Sequence, residues 1–154
     1  MIMPDTFEIK GPWKHAEVSG FLTESTWPLR LACVGGDGFP RVVSLWYRYD
    51  GAAFYCVTHR DSKLSTLLRN NHKVGFEVSP NEPPYHGVRG QGLVSLHEDG
   101  GADTLRIHLD HYLGGTDSSL AQWLLSRAED ELLVRVAITR MFSWDYRQRM
   151  AAAG

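Results

Sequence analysis

The segment from Arg41 to Lys63 constrains this chain most. It reads Arg41-Val-Val-Ser-Leu-Trp46-Tyr-Arg-Tyr-Asp50-Gly51, then Ala52-Ala-Phe-Tyr-Cys-Val-Thr58, then His59-Arg-Asp-Ser62-Lys63. An Asp-Gly pair between two alternating runs is a strong hairpin signal. The second run ends in a threonine and leads into Ser62-Lys63. Those two residues open a helix with Leu64, Leu67 and Leu68 at i, i+3 and i+4. A hydroxyl at a strand end, a cation and the free N–H groups of a helix start together suit a phosphate. The hairpin is therefore expected to carry a phosphorylated ligand along its length.

Alternation continues on both sides of this hairpin. Leu29, Leu31 and Cys33 share one face of an earlier strand, and Val74, Phe76 and Val78 one face of a later one. A longer strand follows with Val88, Gly90, Gly92, Val94 and Leu96. A last one holds Leu132, Val134, Val136 and Ile138 and runs on to Phe142 and Trp144. Both faces of the Arg41 strand hold large residues, so both are expected to be covered. Helical spacing marks His15–Glu24, a helix with Leu105, Leu109, Tyr112 and Leu113 capped by Asp103, and another capped by Ser118 or Ser119. Residues 1–12 read as an irregular arm. Six strands, mostly joined antiparallel and interleaved with short helices, predict one domain over 1–154. Its class is mainly β (α+β), a small six-stranded antiparallel barrel with helical covers. Glycines 87, 90 and 92 mark either close approach of a backbone or ligand, or a barrel corner.

Composition excludes several functions. A net charge of −2 gives no nucleic-acid surface. No apolar run is long enough for a bilayer, and Met1-Ile-Met-Pro4-Asp5 lacks a leader pattern, so the expected location is the cytoplasm. Cys33 and Cys56 sit in apolar strand patterns and read as two buried free thiols. His108 and His111 lie at i, i+3 on a helix but lack a third ligand; a solvated face is expected, and no metal site. No Gly-x-Ser-x-Gly, Walker or Rossmann pattern is present. The residues single out no catalytic acid, base or nucleophile.

The ordered set is nevertheless distinctive. It comprises a short helix, a strand, Asp37-Gly-x-Pro40, Arg41-Val-Val-Ser-Leu-Trp46, Thr58-x-x-x-Ser62-Lys63, a leucine helix ending Leu68-Arg-Asn-Asn71, Lys73-Val-Gly-Phe-Glu-Val78, and Ser143-Trp144-Asp145-Tyr146-Arg147. Over roughly residues 15–150 this resembles the pyridoxamine 5′-phosphate oxidase-like, FMN-binding split-barrel superfamily. The resemblance implies a homodimer with a flavin in each of two clefts at the subunit interface. It also implies an oxidoreductase acting on a small molecule.

The resemblance assigns cofactor contacts residue by residue. Arg41, Val42, Val43, Ser44, Leu45 and Trp46 form the strand laid along the flavin. Thr58 and His59 follow the third strand, and Ser62 and Lys63 meet the phosphate. Trp144 is the aromatic donated by the partner subunit. Arg89, alternating away from Val88, adds a weaker contact. Two departures stand out. Ser62 replaces an arginine common in relatives, and the chain stops at Gly154 without a terminal Arg-x-His segment, which argues against oxidation of pyridoxine phosphates. The superfamily also holds deazaflavin-dependent reductases and haem-binding members, so a deazaflavin or haem, and a non-enzymatic carrier role, remain the alternatives to FMN.

Overall fold

The computed structural model describes residues 7–153. Its strands are β1 (Glu8–Lys10), β2 (Leu29–Val34), β3 (Pro40–Leu45), β4 (Arg48–Tyr49), β5 (Ala53–His59), β6 (Lys73–Val78), β7 (His86–His97) and β8 (Glu131–Asp145). The helices are α1 (His15–Glu24), α2 (Lys63–Asn70), α3 (Gly101–Leu113), α4 (Ser119–Ser126) and α5 (Arg147–Ala153). The strands form one sheet in the order β3-β2-β6-β7-β8-β5-β4, and β1 joins β8 in parallel.

This order forces the sheet to curl. β3 and β4 are its opposite edges, yet only Trp46 and Tyr47 separate them in sequence. Leu45 and Arg48 are three residues apart, so their Cα atoms lie within about 11 Å of each other. The edges must therefore approach there and part elsewhere, which is a barrel left open along a split. β5 extends past its short partner: β4 pairs only with Phe54 and Tyr55, leaving Val57–His59 unpaired on that side.

Curvature has local causes on the far wall. β7 and β8 slip register between Gln91 and Gly92, which pair with Arg140 and Ile138 and leave Thr139 over. Such a bulge bends its strand. At Gly90 an added Cβ would collide with the Arg140 carbonyl oxygen and stand 2.7 Å from the Phe76 ring. The glycines therefore admit neighbouring strands of the same barrel.

The barrel interior is apolar. Phe54, Leu29, Leu31, Val78, Val88, Val134, Val136 and Met141 are all fully buried. Each such side chain contributes about 1.5–3 kcal/mol. α2 plugs one end through Leu64 and Leu68. A second, smaller cluster holds Leu105, Leu109, Ala121 and Ala128 of the α3–α4 region, with Trp46 and Val57 packed against it. That cluster roofs the place where the two edges meet. No helix among the described residues is long and apolar enough to cross a membrane.

Several expectations are corrected. There are eight strands among the described residues, not six. Part of the expected irregular arm is a strand, because Glu8–Lys10 pairs with Arg140–Phe142; residues 1–6 lie outside the described residues. The expected single strand from Arg41 to Tyr49 breaks at Trp46-Tyr47, where the chain crosses between edges, and its outer face is open, with Val42 67% exposed. The N-cap of α3 is Gly100, at φ +93°, and Asp103 lies in the first turn instead. Of the two histidines expected on a solvated face, His111 is exposed and His108 is not. His108 is buried against Tyr55, and His111 bonds the Ser25 carbonyl at 2.8 Å.

Candidate functional site

The unpaired end of β3 and the unpaired end of β5 face one cleft of about 430 Å³. Ser44, Leu45 and Trp46 line one side and Val57, Thr58 and His59 the other. Leu105, His108 and Leu124 come from the α3–α4 roof, and Glu131 from the start of β8. An edge strand leaves alternate N–H and C=O groups without a ladder partner. β3 pairs only with β2, so it presents such a row to the opening. Trp46 is held by stacking on Tyr112, with ring centroids 5.1 Å apart and an interplanar angle of 9°.

The floor is rigid. Thr58 Oγ1 and Ser62 Oγ are 2.7 Å apart, and Ser62 Oγ accepts from the Ser65 N–H at 3.0 Å, which caps α2. The Ser65 hydroxyl donates to Arg60 O and Ser62 O. The Asp61 N–H donates to His59 Nδ1 at 3.1 Å, which points the other ring nitrogen toward Asp130, 3.9 Å away. The N–H groups of Lys63 and Leu64 have no acceptor among the described residues, and neither does the Lys63 ammonium. Unmet donors at a helix start favour an anion.

Other cations named from sequence are already engaged. Arg60 pairs with Glu98 at 3.1 Å and Asp130 at 3.5 Å. The Arg48 guanidinium lies 4.2 Å over the Tyr55 ring. Arg41, at the far end of β3, pairs with Asp37 at 3.0 Å. Arg89 lies over the Trp144 ring at 5.5 Å on the outer face of the sheet, beside Val42 and Phe142. Val43 packs against the barrel core. Of the sequence-derived set, the fold thus gathers Ser44, Leu45, Trp46, Thr58 and His59, with Ser62 and Lys63 adjoining. Arg41, Val42, Val43, Arg89 and Trp144 lie outside this cleft in the single chain.

Two cleft groups escaped sequence reading. His108 Nε2 is 3.0 Å from Tyr55 O, so that nitrogen carries the proton and Nδ1 is left as an acceptor. Nδ1 is buried with no partner among the described residues. Burial pushes the His108 pKa down to about 4, so the ring is neutral near pH 7. Burial likewise raises the Glu131 carboxyl, opposed by the His59 imidazole beside it. Neither position belongs to the hairpin; helix α3 and the β5–β8 pairing deliver them. Among the described residues no cluster of three metal-binding side chains exists.

No family model matches the chain, and no curated protein matches it. Solved structures do. The Rv2991 protein of Mycobacterium tuberculosis is 22% identical, with a TM-score of 0.76 over 96% of this chain and 91% of that one. An F420 reductase is 20% identical, with a TM-score of 0.69 over 85% and 98%. A protein of the pyridoxinephosphate oxidase family from Clostridium acetobutylicum is 15% identical, with a TM-score of 0.64 over 87% and 92%. Others include a FAD-binding protein from Mesorhizobium loti and the haem storage protein HutZ from Vibrio cholerae. The chain shares the fold of these structures, a mainly β split barrel.

Proposed function

We propose that this chain binds FMN in the cleft between β3 and β5 and serves as a flavin-dependent oxidoreductase for a small molecule. One observation carries the reading: the unpaired edge at Ser44–Trp46 faces Thr58 and His59 beside a helix start whose cation and N–H groups are unmet. The residues present fit the group. A strand edge offers hydrogen bonds to the polar rim of a flat ring, and Ser62, Lys63 and the α2 N–H groups meet one phosphate. When bound, FMN would supply hydride and electron transfer. The protein would orient the ring along β3 and exclude water with Trp46, Leu105 and Leu124. Neutral His108 would offer an acceptor at Nδ1. Glu131, a carboxyl in the same cleft, would oppose a second anion.

A deazaflavin is the second reading, favoured by the likeness to an F420 reductase. Its longer acidic tail calls for several cations along the groove. Arg48, Arg60 and Arg89 are each committed elsewhere, which supports FMN. Titrating FMN and the deazaflavin separately, by quenching of ligand fluorescence, decides between them. Lys63→Ala should weaken FMN about tenfold, the size of one exposed charge-assisted contact. Arg41→Ala should change it less than about twofold, because Asp37 already holds that guanidinium. Unchanged FMN affinity in Lys63→Ala overturns the phosphate assignment. Tighter deazaflavin binding overturns the choice of cofactor, and a Soret band in the purified protein overturns both.

The dimer also belongs to this reading. Val42, Ala32, Gly75, Gln91 and Arg140 pair directly across five strands, so they share the sheet's outer face. Val34, Val42 and Leu93 are exposed on that side. Neighbouring apolar exposure of this kind marks an interface. We place the partner there, against Arg89 and Trp144. Leu93→Arg, distant from the cleft, should convert a dimer to a monomer by light scattering. A dimer that survives it, or a monomeric native protein, refutes the placement.

A further inference from the structure

A second cleft, of about 500 Å³, opens between α1, the segment before it and the start of α5. It shares no lining residue with the β3–β5 cleft. Glu17, Gly20, Phe21 and Glu24 stand at i, i+3, i+4 and i+7 of α1, which is one helix face. Opposite them lie Trp13, Trp27 and His86.

The rings form a connected wall. Trp13 and Phe21 have centroids 5.1 Å apart, Phe21 and His86 5.7 Å, and Trp13 and His86 6.2 Å. Trp13 is fixed by its indole N–H, which donates to Asp145 at 3.2 Å. Aromatic faces attract cations, and this wall already holds one, with the Arg147 guanidinium 5.9 Å from the Trp13 ring. Arg147 brings no free charge. It makes a fork with Asp145, at 2.9 and 2.6 Å. Glu17 and Glu24 are exposed. Glu17 accepts the Lys14 N–H at 3.3 Å in the capping box of α1, and its charge also acts on Arg147, while Glu24 carries no ion pair among the described residues. Counting these four groups, the cleft is negative.

Gly20 is the second, independent sign. Glycine in a helix interior costs about 1 kcal/mol relative to alanine. Here no packing requires it, because an added Cβ would meet nothing within 4 Å, and its φ is not in the left-handed range. The missing side chain leaves room in the cleft wall, between the two glutamates.

We propose that this cleft binds a small organic cation, its ammonium or methylated ammonium head set against the aromatic wall and between Glu17 and Glu24. The volume lies in the range of small-ligand sites. Recognition combines cation–π attraction with two carboxylates, and the gap at Gly20 admits the body of the ligand.

The test is titration of the full chain with benzyltrimethylammonium and with choline, read by tryptophan fluorescence and by calorimetry. 3,3-Dimethylbutanol, the neutral counterpart of choline, and benzoate serve as controls. Saturable binding of the cations is expected, with the neutral counterpart roughly tenfold weaker or more. Glu17→Gln with Glu24→Gln should weaken the cations by a similar factor. Gly20→Leu should abolish binding while the melting temperature holds or rises, because leucine favours helix over glycine. That pairing separates a blocked site from a damaged fold. Equal binding of choline and its neutral counterpart, preference for benzoate, no saturation by either cation, or full binding in Gly20→Leu would each overturn the proposal.

Discussion

Ser62 allows the phosphate assignment to be tested without confusing it with stability. Its Oγ accepts from the Ser65 N–H at 3.0 Å and shares a 2.7 Å contact with Thr58, which is 9% exposed. Ser62→Ala removes the cap of α2, at a cost of about 1 kcal/mol. For a domain of this length that lowers the melting temperature by about 2–4 °C. Ser62→Asp behaves differently, because aspartate caps helices as well as serine does. It should melt near the wild type. A carboxylate there would stand about 5 Å from a phosphate held by the α2 N–H groups. With an effective dielectric of about 20, two unit charges at that distance repel by about 3 kcal/mol. That corresponds to more than a hundredfold in affinity. Ser62→Asn, a neutral cap, should preserve both stability and binding. The assay is FMN fluorescence quenching beside thermal melts for the three variants at about 0.1 M salt, where screening of a site in contact range is small. Wild-type FMN affinity in Ser62→Asp, at an unchanged melting temperature, would refute placement of the phosphate at α2.

Three further outcomes follow from burial and packing. His108 has its pKa depressed to about 4, so its stabilising effect is complete above pH 6.5 and is lost as pH falls toward 4. At most about 3 kcal/mol is involved, and His108→Asn should flatten the urea-midpoint profile between pH 6.5 and 4.5; an unaltered slope counts against a neutral buried ring. Gly90→Ala should lose about 1–3 kcal/mol or fail to fold, since its Cβ meets the Arg140 carbonyl; a denaturant midpoint equal to wild type contradicts the close strand approach. Burial pushes the Cys56 thiol up to about 12 and raises that of Cys33. Neither should react with iodoacetamide at pH 8 until the protein unfolds, and mass spectrometry showing native labelling would contradict their burial.

The parts legible in the sequence were those governed by period and punctuation. α1 is observed at His15–Glu24 as its spacing predicts, and of the two serines expected to cap α4 it is Ser118 that does so; Ser62, expected to open α2, proves to be its cap. Asp50 turns the hairpin by accepting from the Ala52 and Ala53 N–H groups, both at 2.9 Å. What was illegible depends on long-range placement. The β3–β4 break at Trp46-Tyr47 follows from curling the sheet, not from local preference, since both residues suit a strand. β1 exists because β8 offers it an edge, which no pattern in three residues announces. His108 and Glu131 look like ordinary polar positions in their own segments. They become cleft groups only when α3 and β8 are packed beside β5. Arg41 shows a local partner that its strand position does not announce: the turn before it places Asp37 3.0 Å from its guanidinium.

The same topology explains why the proposed cofactor cleft lies where it does. An antiparallel sheet that closes fully has no edge to offer a ligand, and one that stays flat exposes its edges to other chains. Here the two-residue crossing between β3 and β4 fixes one end of the opening, and the short reach of β4 leaves the end of β5 unpaired. The α3–α4 roof then covers that opening with apolar side chains, so the exposed strand edge faces a protected space. An unpaired edge under an apolar roof satisfies both needs of a flat polar-rimmed ring: hydrogen bonds along one side and a dry surface across its face. On the proposed reading, the start of α2, joined to Thr58 through Ser62, would offer a phosphate its unmet N–H donors and the Lys63 ammonium, unpaired among the described residues. A ligand with one phosphate matches that charge count better than one with an extended acidic tail. The choice between FMN and deazaflavin therefore rests on how many cations the floor leaves unpaired, a property shaped by Glu98 and Asp130 through their hold on Arg60.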